Sequence, residues 1–201
     1  MRKVMLIGGS SRTGKSTIAA YMSLKTGHAC ISTDDIGAIV QTITGIDPLA
    51  GQDYLDYYAD AGKSQLIEDM QAYHCALLDP INTLIKKHAD GGSPLIIEGY
   101  ALYPKDVSEL PGDQVGRVWL VADQKLLKRR VLENRAFFQK AADKRKVAEN
   151  YLYRSLWHNK TIYEQCRFFN QPFVLVQNDD YDMITMQVAE VLLQEDSVVL
   201  Q

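Results

Sequence analysis

The sequence predicts an α/β fold in which a parallel sheet is covered by helices on both faces. Short, nearly unbroken apolar segments alternate with longer segments of helical periodicity, as is typical of buried parallel strands joined by crossover helices. The chain shows no internal repeat and no linker rich in Pro, Gly or Ser. With 201 residues it can bury one substantial core, so we expect a single domain spanning 1–201.

The first three elements are marked by apolar runs and glycines. Residues 3–7 are a short aliphatic run that stops at Gly8-Gly9, which predicts a strand ended by a turn. Residues 15–25 carry apolar side chains at helical spacing, and Gly27 follows, so we expect a helix that ends there. Residues 29–32 predict the second strand.

The middle of the chain is predicted to be mainly helical. Residues 35–62 suggest two short helices broken near Asp47-Pro48. A long helix follows from about 64 to 88, because its apolar residues recur on one face, and it ends at Gly91-Gly92. Residues 94–97 are strongly apolar and predict the third strand.

The last part repeats the alternation of strand and helix. Apolar residues 115–121 predict the fourth strand, and a basic helical stretch follows it. A further helical segment at about 143–169 leads to a fifth strand at 173–176. Residues 181–194 are predicted to close the chain as a helix.

Composition excludes several classes of function. The net charge of −3 is mildly acidic and argues against a protein that coats nucleic acid. No apolar run approaches the roughly 18 residues that cross a bilayer, and the N-terminus is too short for a signal-peptide core. Cys30, Cys75 and Cys166 are far apart, which is typical of reduced thiols. We expect a cytoplasmic protein with no nucleic-acid or membrane partner, and a homodimer is left open.

The strongest motif is a phosphate-binding loop that fits G-x-x-x-x-G-K-[ST] between the first strand and the first helix. Its glycines let successive N–H groups point into one concavity of phosphate size, next to the positive end of the helix. The Lys15 amino group would contact the β- and γ-phosphates, and the Ser16 hydroxyl would hold Mg²⁺. The alternative is a glycine-rich turn with an incidental lysine. The predicted nucleotide-binding residues are Gly9, Ser10, Ser11, Arg12, Thr13, Gly14, Lys15, Ser16 and Thr17.

Acidic residues follow the second and third strands. Asp34 and Asp35 should face the phosphate loop, because ligands of parallel sheets bind at the carboxyl ends of the strands. We expect one aspartate to cap the next helix and Asp34 to accept the proton of a substrate hydroxyl. Glu98 is predicted to contact the Mg²⁺ water shell or the acceptor, and the alternative is an exposed loop carboxylate.

The stretch from Asp123 to Lys146 contains nine basic residues and three acidic ones. Such a run is ordinarily a solvated helix face. Phosphoryl transfer, however, needs positive charge over the transferring group, and arginines on a mobile lid can supply it. We predict that Arg130 or Arg135 has this role.

These features resemble the P-loop small-molecule kinases, a group that includes nucleoside and nucleotide kinases, shikimate kinase, 2-phosphoglycerate kinase and the zeta-toxin/chloramphenicol phosphotransferases. The resemblance rests on the phosphate loop and on the acids after strands two and three. It also rests on the arginine-bearing lid after Val121 and on Gln177-Asn178-Asp179. Residues 97–104 look most like the 2-phosphoglycerate kinase pattern.

The resemblance implies a three-layer P-loop NTPase fold with a five-stranded parallel sheet of order 2-3-1-4-5 and a helical lid. It further implies ATP and Mg²⁺ as phosphoryl donor and cofactor, with Asn178 beside the adenine. A helical region at about 35–90 would bind the acceptor, and the lid would span about 123–146. The predicted acceptor-binding residues are Asp34, Asp35 and Tyr100.

One departure from the family bears on the acceptor. Relatives that phosphorylate anionic acceptors usually carry an arginine just after the aspartate of strand two, but here Asp35-Ile36-Gly37 follows Asp34. Between residues 29 and 62 there are six aspartates and no Lys or Arg. A negatively charged segment repels anions, so we expect the acceptor to be a neutral or cationic hydroxyl compound.

The sequence thus predicts an ATP- and Mg²⁺-dependent kinase that phosphorylates a hydroxyl group of a small metabolite. The predicted catalytic residues are Lys15, Asp34, Glu98, Arg130 and Arg135. The alternatives are a 2-phosphoglycerate or nucleotide kinase, a toxin acting on a sugar nucleotide, and a switch or assembly ATPase. The last class normally takes its arginine from a partner, whereas this chain carries arginines of its own.

Overall fold

The computed structural model describes residues 2–47, 49 and 51–193, and the side chain of Arg135 lies outside the description. Its centre is a five-stranded parallel sheet with the order β2-β3-β1-β4-β5. The strands are β1 (Val4–Gly9), β2 (Ala29–Ser32), β3 (Leu95–Gly99), β4 (Val115–Ala122) and β5 (Phe173–Val176). The predicted fold class and strand order are confirmed.

Helices cover the sheet on both faces. They are α1 (Lys15–Thr26), α2 (Thr33–Thr44), α3 (Tyr54–Asp60), α4 (Lys63–Asp90), α5 (Pro104–Val107), α6 (Gln124–Glu133), α7 (Arg135–Phe138), α8 (Lys144–Phe168) and α9 (Tyr181–Leu193). Within the described residues, none of these helices is both long enough and apolar enough to span a bilayer.

The sheet separates two hydrophobic cores, which explains why its central strands are apolar throughout. Met5 and Ile7 of β1 point into the core that contains α1 and α9. Leu6 points into the opposite core, where it joins Ile81 of α4 and Trp119 of β4. Because successive side chains of a strand alternate between faces, a strand buried on both sides needs apolar residues at every position.

The structure differs from the sequence-based expectations at a few element boundaries. The short helix α5 was not predicted, because four residues are too few to show a helical period. The basic stretch divides into α6 and α7, which meet at Asn134. Pro48 and Gln194 lie outside the described residues. The predicted break near Asp47-Pro48 falls between Thr44, where α2 ends, and Tyr54, where α3 begins.

Candidate active site

The phosphate loop joins β1 to α1 in a conformation that requires glycine at its start. Gly9 has φ of 137°, and a Cβ atom there would lie 2.4 Å from the backbone oxygen of Leu120. That separation is far below van der Waals contact and involves backbone, so a larger residue would displace β4. Arg12 also has a left-handed backbone, with φ of 65°.

Hydrogen bonds within the loop converge on one carbonyl group. The Thr13 hydroxyl donates to the Ser10 backbone oxygen at 2.9 Å, and the Lys15 amino group donates to the same oxygen at 2.8 Å. Burial lowers the pKa of Lys15, while the negative charges of Glu98 and Asp34 act in the opposite direction. The Ser10 hydroxyl donates to the Ser155 backbone oxygen at 2.8 Å, which ties the loop to α8.

Glu98, at the end of β3, lies directly against the start of α1. Its Oε1 atom accepts a hydrogen bond of 2.9 Å from the Ser16 hydroxyl. Burial raises the pKa of Glu98, and the Lys15 charge and the Ser16 hydrogen bond partly offset this effect. Gly99 allows the close packing here, because a Cβ atom on it would lie 1.8 Å from Thr33 Oγ1.

The donor set around Ser16 fits Mg²⁺. Ser16 and Glu98 offer a hydroxyl and a carboxylate oxygen in contact with each other, and Asp34 lines the same cavity. Mg²⁺ prefers oxygen ligands, usually one or two carboxylates or hydroxyls from the protein with phosphate and water oxygens completing the shell. The described residues thus hold oxygen donors of the right kind beside the phosphate loop.

The two neighbouring aspartates after β2 have different surroundings. Ser32 is the N-cap of α2, and its hydroxyl accepts a hydrogen bond of 3.0 Å from the Asp35 backbone N–H. The Asp35 carboxylate in turn accepts from the Ser32 backbone N–H at 3.4 Å, which completes a capping box. Asp35 is therefore engaged in ending the strand and starting the helix, whereas Asp34 faces the cavities described next.

Two cavities meet at Asp34. The first, which we call the phosphate cavity, has a volume of about 600 Å³ and is lined by the phosphate loop, Glu98 and Arg130. The second, which we call the tyrosine cavity, has a volume of about 480 Å³. Its walls include Tyr54, Tyr57, Tyr73, Tyr100, Phe137 and Tyr151. Ser11, Asp34 and Tyr100 line both cavities.

Arg130 lies at the outer edge of the phosphate cavity and is well anchored. Its guanidinium donates to the backbone oxygens of Arg12, Thr13 and Asn178, each at 3.1 Å, and forms an ion pair of 2.7 Å with Asp179. Its Cζ atom also lies 5.5 Å from the centre of the Tyr181 ring. These contacts join the phosphate loop to the loop after β5.

The predicted adenine contact, Asn178, lies in that loop after β5. Its side-chain oxygen accepts a hydrogen bond of 3.0 Å from the Asp180 backbone N–H. Its backbone oxygen is one of the acceptors of Arg130. Arg135, the other lid arginine, begins α7, and its side chain is outside the description.

The sequence-based reasoning missed Arg154. It lies on α8 and lines the tyrosine cavity together with Asp34, although 120 positions separate the two residues along the chain (154 − 34 = 120). The expectation of a neutral or cationic acceptor rested on the lack of basic residues between 29 and 62. Arg154 adds a cation from a distant helix, so that acidic segment alone does not set the charge of the cavity. Helical periodicity alone could not have found it, since Arg154 is surrounded in sequence by other polar and aromatic residues.

Comparisons with known proteins point to one fold. No protein-family model matches the chain, and no curated protein sequence does. Solved structures do match. Shikimate kinase from Acinetobacter baumannii superposes with a TM-score of 0.59 at 12% identity, covering 96% of this chain and 94% of that one.

Two further solved structures are similar over nearly their full length. A sugar kinase from Janibacter sp. HTCC2649 has a TM-score of 0.56 at 17% identity, with 96% of this chain and 95% of that one covered. Deoxyadenosine kinase from M. mycoides, solved with bound dATP, has a TM-score of 0.53 at 17% identity, with 95% and 100% covered. The chain therefore has the fold of the P-loop small-molecule kinases, as its motifs predict.

Proposed function

We propose that the protein is a kinase that transfers the γ-phosphoryl group of ATP, with Mg²⁺, to a hydroxyl group of a small metabolite. The observation that carries this proposal is the junction of two cavities at Asp34. One cavity has the donors that bind phosphate, and the other has the aromatic walls that bind an organic molecule. The Asp34 carboxylate, which lines both cavities, is placed to contact a bound nucleotide and a bound acceptor.

The chain's own residues account for each part of the transfer. The backbone amides of the phosphate loop and the Lys15 amino group hold the phosphates, and Ser16 and Glu98 would hold Mg²⁺. When bound, the metal ion neutralises charge on the phosphate oxygens. Asp34 accepts the proton of the acceptor hydroxyl as its oxygen bonds to the γ-phosphorus and the bond to the β-phosphate oxygen breaks.

We assign the arginines different roles. Arg130 positions the phosphate loop and the loop after β5 relative to each other, since its guanidinium already contacts both. Arg135, with the lid that begins at about residue 123, supplies positive charge to the transferring group. Residues 35–90 form the acceptor region, which is supported by the positions of Tyr54, Tyr57 and Tyr73 on the tyrosine cavity.

Known kinases of this fold support the acceptor class. The similar solved structures include proteins named for shikimate, a sugar and deoxyadenosine, all of which carry hydroxyl groups. A switch or assembly ATPase is disfavoured because it has no need for a second, aromatic cavity beside the γ-phosphate. We place the enzyme in the cytoplasm because its cysteines are scattered and unpaired. A homodimer stays a prediction.

A two-stage screen tests the proposal. Thermal unfolding is first followed with a non-hydrolysable ATP analogue and Mg²⁺ across sugars, polyols, hydroxy acids and nucleosides. An acceptor present at 100 times its Kd should add about 2.7 kcal/mol of stability. ADP release from ATP is then measured with each hit. The proposal predicts acceptor-dependent ADP release, and ADP release that no acceptor increases would contradict it.

A further inference from the structure

Arg154 is a cation enclosed mainly by aromatic rings. Its side chain is half-buried on the wall of the tyrosine cavity. The guanidinium carbon lies 5.1 Å from the centre of the Tyr58 ring and 5.9 Å from that of Tyr151. Both distances are within the range in which a ring face attracts a cation. The rings thus hold the guanidinium in place without using its N–H donors.

Those donors have no acceptor within the described part of the chain. No ion pair and no hydrogen bond there involves the Arg154 side chain, whereas Arg129, Arg130 and Arg145 each pair with a carboxylate. A guanidinium carries five N–H donors in a planar arrangement that matches a carboxylate or phosphate. Because Arg154 lines the cavity with these donors unused, its guanidinium is placed to bind an anion that comes from outside the chain.

The acids on the same cavity do not fill this role. Asp69 accepts hydrogen bonds from the Tyr57 hydroxyl at 2.8 Å and from the Gln65 amide at 2.6 Å. Asp34 faces the phosphate cavity as well as the tyrosine cavity and forms no ion pair with Arg154. The cavity therefore has a negative group at its junction with the phosphate loop and an unpaired positive group on another wall.

We propose that the acceptor is a hydroxy acid whose carboxylate pairs with Arg154 while its hydroxyl group faces Asp34. This inference rests on the proposed kinase function and names the class of its acceptor. The tyrosine rings would pack against the carbon skeleton of the acceptor. A singly charged carboxylate suits the cavity better than a doubly charged phosphate, because the cavity lining carries one guanidinium and two carboxylates, Asp34 and Asp69.

This proposal differs from the sequence-based expectation of a neutral or cationic acceptor. The acidic segment from 29 to 62 forms only part of the cavity wall, and α8 contributes the charge that this segment lacks. Arg154 lines the tyrosine cavity but not the phosphate cavity, which favours a contact with the acceptor over a contact with the nucleotide phosphates.

Binding of three small probes tests the proposal without knowledge of the natural acceptor. Benzoate, benzamide and phenyl phosphate share a ring and differ in charge. Each is titrated by NMR into protein saturated with a non-hydrolysable ATP analogue and Mg²⁺, so that the phosphate loop is filled. We expect benzoate to bind roughly 10-fold more tightly than benzamide, since benzamide carries no charge to pair with the guanidinium. Phenyl phosphate can also pair with the guanidinium, but we expect it to bind more weakly than benzoate, because Asp34 and Asp69 repel its larger negative charge.

Variants on the same helix show whether the preference depends on Arg154. Arg154→Met should abolish the preference for benzoate, and Arg154→Lys should keep part of it, because charge remains but the planar fork is lost. Arg145→Gln is the matched control, since Arg145 lies on α8, is exposed and pairs with Glu149. Unchanged affinity for the ATP analogue shows that each variant is folded. If Arg154→Met does not fold, the probe preference is measured with Arg154→Lys instead.

The proposal is overturned by equal binding of benzoate and benzamide to the wild type, or by an unchanged preference in the folded Arg154 variant. Stronger binding of phenyl phosphate than of benzoate also overturns it in favour of a phosphorylated acceptor. These results leave the kinase proposal standing, because ADP release with an uncharged or phosphorylated acceptor would still support it. Conversely, acceptor-independent ADP release would refute the kinase proposal whatever the probe preference.

Discussion

The phosphate cavity and the tyrosine cavity are built in opposite ways. The main wall of the phosphate cavity is the phosphate loop, consecutive residues 9–16 that are shaped by their glycines and hydrogen bonds, although Glu98 and Arg130 also line it. The tyrosine cavity takes its walls from helices and strand ends that are far apart along the chain, including Asp34, Tyr100 and Arg154. A short contiguous motif therefore determines how the phosphoryl donor is bound. The residues that select the acceptor come together only when distant elements of the chain pack against each other.

The largest expected effect is on the phosphate side. Lys15→Ala should lower phosphoryl transfer by about 10³-fold, because it removes the positive charge from a water-poor site where charge develops. Folding should not suffer, since burial already opposes the charged form of this lysine. The rate of ADP release with a screened acceptor measures the effect.

Lys25→Ala is the control for this variant, since Lys25 is an exposed lysine on the same helix. It should leave the rate unchanged. Turnover by Lys15→Ala at the wild-type rate would contradict the role of the phosphate loop.

The next effect lies at the junction of the two cavities. Asp34→Asn should lower kcat by about 10²-fold, because the amide cannot take the proton of the acceptor hydroxyl. The affinity for the ATP analogue should change little. Single-turnover measurements with bound ATP and acceptor isolate this step.

The adjacent aspartate gives a matched comparison. Asp35→Asn should retain turnover but lose about 1 kcal/mol of stability, since it weakens the capping box of α2. Equal losses of kcat in the two variants would show that Asp34 has no role in phosphoryl transfer that Asp35 lacks.

Much of the fold was predictable from the sequence, and the reason is physical. Buried parallel strands need apolar residues at every position, so β1, β3 and β4 stand out, and the phosphate loop is a contiguous motif. The capping role of Asp35 beside Asp34 also follows a local rule. The placement of Arg154 does not follow from such a rule alone: Tyr151 is its neighbour on α8, but its position over Tyr58 depends on how α8 packs against α3.

A smaller effect is expected at Arg130. Arg130→Ala should raise the KM for ATP by roughly tenfold while lowering kcat less, because its hydrogen bonds hold the phosphate loop to the loop after β5. Steady-state kinetics at saturating acceptor separate the two constants. A large fall in kcat with an unchanged KM would instead place Arg130 on the transferring group.

The smallest effect concerns His158, which is buried on α8. Burial lowers the pKa of His158 well below its usual value, and the nearby charges of Lys15 and Arg154 act in the same direction. The folded protein keeps the imidazole neutral while the unfolded chain takes up a proton below about pH 6.5. Stability from this group is therefore present above that pH and is lost as the pH falls.

Between pH 7.5 and 5.5, His158 should account for a loss on the order of 1 kcal/mol in the free energy of unfolding. His158→Gln should remove this part of the pH dependence. Denaturant unfolding of both proteins across the range gives the difference, and parallel pH profiles would show that His158 titrates normally in the folded state.

The most direct measurement follows the γ-phosphoryl group itself. ATP labelled at the γ-phosphorus is incubated with the protein, Mg²⁺ and an acceptor from the thermal screen, and the products are separated. If a nucleotide and a hydroxyl compound meet at Asp34, the label appears on the acceptor, and Asp34→Asn greatly slows its appearance. Label found as inorganic phosphate alone, at a rate that no acceptor changes, would contradict the account.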